Sequence, residues 1–207
     1  DVDVTTFTVG NTVANVAFTG NGSSVVNAVA FANDGTLILG ASGGTQTYNG
    51  GLTTTSVDGT VTLNGTIATS DDAVVLGAVT LGSATIIDTD RGGALTIGAV
   101  TGGSNALTLN DLANCACNGA ISGVSTLTIG DIAGGIGSGA NFSGAVNVTT
   151  LTVNDVADAQ FNSTVNATTI TVQNFTNDGR VSFNGNLTVG TFSTDTSNMT
   201  VEILGSS

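Results

Sequence analysis

NFSGAVNVTTLTVNDVAD at 141–158 and QFNSTVNATTITVQNFTN at 160–177 are two copies of one pattern, at an offset of 19. SFNGNLTVGTF at 182–192 is a compressed third copy. The centre of each copy reads aliphatic, Thr, aliphatic. In a strand, residues i and i+2 face the same way, so Leu151 points with Val153, Ile170 with Val172, and Leu187 with Val189. The Thr between them faces outward. The Asn, Gln or Gly that follows marks a corner, where Asn and Gly tolerate a left-handed backbone. A further apolar residue, such as Val156, then opens the next strand. One such unit has an apolar side that it cannot bury alone, and stacking successive units buries it.

The same template recurs upstream as LTIGAVTG at 95–102, LTLNDLAN at 107–114 and LTIGDIAG at 127–134. These add the inward pairs Leu95/Ile97, Leu107/Leu109 and Leu127/Ile129, and the next-face residues Leu112 and Ile132. Looser copies start at Leu37, Val61 and Val79. The starts run from 37 to 187 in uneven steps, the shortest from Leu95 to Leu107 and the two longest from Leu37 to Val61 and from Leu127 to Leu151. A step near 19 holds two or three short strands with their corners, which is one turn of a parallel β-solenoid. The expected fold is all-β, a right-handed parallel β-helix (β-solenoid) with irregular coils spanning about 12–24 positions. An antiparallel β-sandwich would also explain alternation and turn residues, but not one motif returning at one-turn spacing.

The composition agrees. The 207 residues include 30 Gly, 36 Thr and 21 Asn, with no Pro. Proline is barred where every strand must donate a ladder hydrogen bond. The strong helix formers other than Ala and Leu are nearly missing, which excludes a helical protein. The whole chain, 1–207, reads as a single solenoid. Residues 1–35 are less regular: VANVAFTGNG at 13–22 and VNAVAFANDG at 26–35 resemble each other at an offset of 13. Clear repeats cover 36–194, and 195–207 holds a terminal strand. VDVTTFTVG at 2–10 and MTVEILG at 199–205 read as strands, with no helical or charged cap.

Charge restricts function. Arg91 and Arg180 are the only basic residues against 15 acids, giving a net charge of -13. A nucleic-acid binder needs many more Lys and Arg to meet phosphates. With no His, a catalytic triad or imidazole base is impossible within the chain. No apolar run is long enough for a membrane-spanning helix, and aromatics are too few for the girdles of a membrane barrel, so a membrane-spanning chain is not expected.

Several groups are candidates for chemistry. Asp111, Asp131 and Asp155 occupy one repeat position, followed by Asn174. Stacked acids at a solenoid corner could hold Ca²⁺, or simply satisfy local backbone groups. Asp88 and Asp90 are spaced i, i+2, as are some acid pairs of general acid–base sites, and are a second Ca²⁺ candidate. No other cofactor is expected. Asp90 beside Arg91 reads as an exposed turn pair. Cys115 and Cys117 form a lone CxC that completes no zinc site. Their Asn and Gly neighbours suggest a loop, with free thiols, a strained ring or an intermolecular bond as alternatives. Nine N-x-S/T sequons occur, matching the abundance of Asn and Thr. Outward pairs such as Thr126/Thr128, Thr150/Thr152 and Thr169/Thr171 could form a flat array of the kind that orders ice. The uneven steps between copies are expected to break that array.

FSGAVNVTTLTVNDVADAQF at 142–161, FNSTVNATTITVQNF at 161–175 and GGALTIGAVTGGSNALTLND at 92–111 carry a resemblance. Their texture resembles the passenger regions of bacterial autotransporters, rickettsial outer-membrane adhesins and filamentous-haemagglutinin-type exoproteins, over roughly residues 36–194. The resemblance implies a secreted, non-enzymatic parallel β-helix at the cell surface, serving as an adhesin or a structural element. The expected role is a subunit of a surface filament or adhesin stalk, joining other copies head to tail. The alternatives are a passenger fragment that binds a host receptor or glycan, an ice-binding solenoid, and a carbohydrate-active β-helix enzyme.

Overall fold

The coil from Val146 to Phe161 shows how the sequence becomes structure. Val146–Asn154 is a bent strand whose Val146, Val148, Leu151 and Val153 are buried while Asn147 and Thr149 are exposed. Asp155 turns the chain with φ of 33°. Val156 is buried beyond the corner, and Asp158–Phe161 runs back with Ala159 and Phe161 inward. Each coil therefore carries three short faces, two on a bent strand and one on a separate strand. A computed structural model describes residues 1–130, 136–176 and 178–205. Among them there is no helix, and about 55% of the chain is strand, wound into about nine turns. Asp131 and Ile132 lie outside the described residues.

Among the described residues the strands form one sheet of 13 and one of 9, and every pairing is parallel. Parallel pairing of successive coils excludes the antiparallel sandwich. Equivalent residues lie 18 apart in the shortest coil, from Val61 to Val79, and 25 apart in the longest, from Cys115 to Ala140. The offset of 19 between 141–158 and 160–177 is the true register, since Phe142 pairs with Phe161, Val146 with Val165 and Val153 with Val172.

Other sequence alignments need correction. The motif at Leu95 belongs to the third face, where Leu95 pairs with Val74 and Cys115. The Val61–Val79 series continues instead through Val100, Ile121, Val146 and Val165 to Leu187. Leu107, Leu127, Leu151 and Ile170 form a separate second-face column that ends on Phe192, not Leu187. The short step from Leu95 to Leu107 is therefore a step between two faces and not a coil. At the N-terminal end, Val16–Phe18 pairs with Leu37–Leu39, whereas Val29–Ala30 pairs with Leu52–Thr53. The two VAF-containing segments thus lie on different faces and do not stack at an offset of 13.

The lumen is a continuous apolar column. Leu95, Ile97, Leu107, Leu109, Leu127, Ile129, Leu151, Val153, Ile170 and Val172 are all buried within it. Leu187 and Val189 are only half-buried, because among the described residues no strand pairs with the far side of Leu187–Thr194. Phe142, Phe161 and Phe183 stack along the third face at centroid distances of 4.8 and 5.0 Å, nearly coplanar, and Phe192 meets Phe183 edge-on. At the other end Phe7 packs on Phe18 and Phe31. Of the 2–10 segment only Asp3–Val4 is strand, so Phe7 and Val9 close on the core without a ladder. Gln46 is a buried polar exception, and it is satisfied: its amide donates to Phe18 O at 2.6 Å and accepts from the Tyr48 hydroxyl at 2.9 Å. Gly65, at φ of 64°, bends Val61–Ala68 between its two faces. A Cβ there would fall 2.3 Å from Ala41 O.

The aromatic stack predicts its own mutational signature. Phe161→Ala removes the middle ring, on which Phe142 and Phe183 both stack, and should cost about 3–5 kcal/mol, whereas Phe161→Leu, which keeps most of the volume, should cost less. Urea denaturation of the two variants beside the parent chain checks the order.

Candidate functional site

The corners between the second and third faces collect the polar residues that the repeat placed there. Asp111, Asp155 and Asn174 all adopt left-handed φ, at 43°, 33° and 60°. Short polar side chains tolerate this region because they can hydrogen-bond locally. Their oxygens reach between coils. Asp155 accepts from the Thr176 amide at 3.0 Å and from its hydroxyl at 2.7 Å. Asp195 accepts from the Asn174 amide at 2.8 Å. The same device appears where Asn15 Oδ1 accepts from the Thr36 amide and hydroxyl, both at 2.9 Å. Corner acids and amides therefore tie one coil to the next.

The calcium candidates sit within this network. Asp131 lies outside the described residues. Asp111 Oδ1 accepts from Arg91 Nε at 3.1 Å. Arg91 thus pairs with the neighbouring coil and not with adjacent Asp90, which corrects the turn-pair expectation. Asp88 accepts from the Asp90 amide at 3.0 Å and from Asn110 Nδ2 at 3.0 Å, so its carboxylate is held by its own turn and by the coil above. Among the described residues no three acids or thiols gather in an arrangement that could hold a metal ion.

Arg180 has a role that the repeat pattern does not show. It sits opposite Asp158 in the third-face ladder and forks onto that carboxylate at 3.0 and 3.1 Å, with Glu202 at 3.7 Å. The spacing of 22 between Asp158 and Arg180 is the signal for it, and an alignment at 19 hides it. The Arg180 hydrogen bond is the main reason the Asp158 carboxyl titrates below its ordinary range; partial burial opposes it and the Gln160 amide adds to it. Hydrogen bonds from Asn174 and Ser197 likewise lower Asp195.

Cys115 and Cys117 lie in the strand Asn114–Cys117, not in a loop. Both side chains turn into the lumen, where they are buried as free thiols with sulfurs 3.1 Å apart. Their Asn114, Asn118 and Gly119 neighbours hide the strand, which only the pairing with the adjacent coils reveals.

The second-face surface between the acidic corners is hydroxyl-rich. Thr126, Thr150, Thr169 and Thr191 form one unbroken column, and Thr128, Thr152, Thr171 and Ser193 another. Uneven coil lengths are absorbed at the corners, so they do not break the array as expected. An open groove of about 430 Å³ runs beside these columns, lined by Ser125, Asn147, Thr149, Asn166 and Thr168 among others. Asn166 Nδ2 donates to Asn147 Oδ1 at 2.6 Å, which fixes the two amides relative to each other.

The Arg180–Asp158 pair makes a pH prediction with a definite sign. A carboxyl lowered by folding stabilises the fold above its unfolded value of about 3.9, and that contribution is lost as pH falls through the lowered value. Arg180→Ala should therefore destabilise the fold modestly near neutral pH, as expected of a largely exposed pair. The gap between parent and variant should close in acid, once Asp158 is protonated in both. Denaturation midpoints of the two proteins measured from pH 7 downward test this.

No family model, no curated protein and no solved structure matches this chain.

Proposed function

We propose that the chain is a non-catalytic structural element outside the cell, a segment of a surface filament or adhesin stalk that joins further copies end to end. The observation that carries this reading is the parallel stack itself, in which each coil offers its ladder and lumen to the next. Leu187–Thr194 and Met199–Ile203 each have a strand partner on one side only among the described residues. Leu187, Val189, Phe192, Met199 and Val201 continue the lumen column but are half-buried. A further coil, of this chain or of another copy, can continue the ladder and the apolar column from such a row. A second copy docking this way makes a heterologous contact, which propagates. The textural resemblance to autotransporter and exoprotein passengers supports the location. So does the near lack of Lys and Arg, which leaves few sites for trypsin-like proteases.

Electrostatics shape the expected behaviour. Asp1 and Asp3 lie at one end, and Asp195 and Glu202 at the other. Like charges at both ends slow association, and salt screens them. The purified chain should therefore form larger species with rising concentration, and more so at higher ionic strength, as seen by light scattering and electron microscopy. Val189→Glu with Val201→Glu places charges on the half-exposed row and should leave the protein monomeric and folded. A parent chain that stays monomeric at every concentration and salt overturns the reading. A turnover abolished by Asp88→Asn or Asp90→Asn overturns its non-catalytic part.

A second reading, a glycan-binding adhesin segment, is favoured by the groove beside Asn147 and Asn166. Its uncharged hydroxyls and amides suit a neutral saccharide better than an anionic one on a chain of net charge -13. Binding of the isolated chain to a panel of neutral glycans, lost in Asn147→Ala, separates this reading from a pure scaffold.

A further inference from the structure

Among the described residues, the thiols of Cys115 and Cys117 are two reactive groups placed in direct contact inside the lumen. Their sulfurs are 3.1 Å apart, and a disulfide needs about 2.05 Å. The sulfurs therefore need to close by only about 1 Å. The backbone is less accommodating. Residues i and i+2 of a strand are about 6.6 Å apart at Cα, at the far end of the disulfide range, and their parallel Cβ atoms stand well beyond the roughly 3.5–4.5 Å that the bond requires. Closing the bond pulls the two Cβ atoms together and buckles the strand between them.

That strand has a partner on each side. Ala94, Leu95, Thr96 and Ile97 pair with Asn114–Cys117 from below, and Gly139, Ala140, Asn141 and Phe142 pair from above. Phe142, the first ring of the stack that runs through Phe161 to Phe183, is the register partner of Cys117. A buckle here breaks the third-face ladder in mid-stack and shifts the base of the aromatic column. In a solenoid each coil is held mainly by its neighbours, so one broken interface uncouples the coils on either side.

We propose that Cys115 and Cys117 are a two-electron redox site at which disulfide formation opens a breakpoint in the middle of the solenoid, the dithiol being the form that supports the unbroken stack. With a small-molecule disulfide such as oxidised glutathione as oxidant, the two protein thiols lose two hydrogens. One intramolecular S–S bond forms, and the oxidant is reduced to two thiols. Exchange starts from a thiolate, and the lumen disfavours one: hydrogen bonding with Cys115, followed by burial, pushes the Cys117 thiol upward. The folded stack thus protects its own thiols, and oxidation requires opening or a chain not yet wound.

The test compares three preparations of the full chain. One is refolded under reductant, one is oxidised with oxidised glutathione while unfolded and dilute and then refolded, and one is the Cys115→Ala, Cys117→Ala variant treated as the second. Intact mass should show a loss of two hydrogens in the oxidised parent, with no dimer. In the reduced folded chain, thiol alkylation should be slower than in denaturant by about 1,000-fold or more, the scale of protection for a site that opens only rarely. The oxidised parent should melt at lower temperature, or in two steps, and a non-specific protease should cut it near 114–117. The reduced chain should show neither change. Should the alanine variant not fold, the reduced and oxidised parents still give the comparison. Equal melting and equal proteolysis of those two forms overturn the proposal. So does oxidation that yields only intermolecular disulfides.

Discussion

The parallel hydrogen-bond ladder between successive coils is the constraint on which the rest of this structure depends. A single coil has three short faces and no helix to lean on. Most of its strand backbone groups find partners in the coils above and below, and its apolar residues pack both along the axis and across the lumen onto the facing sheet. Every strand must therefore be free to donate, which is why the chain holds no proline. Equivalent residues must also be compatible with their own kind. Apolar meets apolar in the lumen, as Leu127, Leu151 and Ile170 do, and hydroxyl meets hydroxyl outside, as Thr126, Thr150 and Thr169 do.

Variation is pushed to the corners. Coil length differs between the short step from Val61 to Val79 and the long one from Cys115 to Ala140, yet the pairings on either side are undisturbed. The extra residues leave the ladder at the bends. The corners are also where charge is used. The Arg91–Asp111 and Arg180–Asp158 pairs both join neighbouring coils, and Asp155 and Asp195 accept amide hydrogens across the same gap. Both basic residues of the chain thus tie coils together, and the remaining acids leave the surface strongly negative.

The two kinds of buried exception differ in consequence. Gln46 and Tyr48 satisfy each other and a backbone carbonyl, so they are built into the column. The CxC pair is chemically reactive and sits in a strand paired on both sides. Its burial keeps the thiols from reagents, and its strand geometry opposes the bond their proximity invites. Stability and reactivity are set against each other at one coil, next to the first ring of the aromatic stack.

The strand period, the inward aliphatic pairs, the corner positions and the parallel solenoid were all legible in the sequence. They depend on local alternation and on a repeat that a chain must carry in its own residues. Leu151 and Val153 had to point together whatever lay above them. The register between coils was only partly legible. The offset of 19 between Phe142 and Phe161 was visible because the two coils match in length, but the next offset, 22 between Phe161 and Phe183, was hidden by a longer corner. A motif does not announce which face it occupies, so Leu95 and Leu107 read as successive coils when they belong to two faces. The Arg180–Asp158 pair, the half-exposed Leu187 and Val189, and the inward turn of Cys115 and Cys117 follow from that register and from position along the stack. Tertiary structure alone decided them, because what a side chain touches in a solenoid is set by the coil beside it and not by its neighbours in sequence.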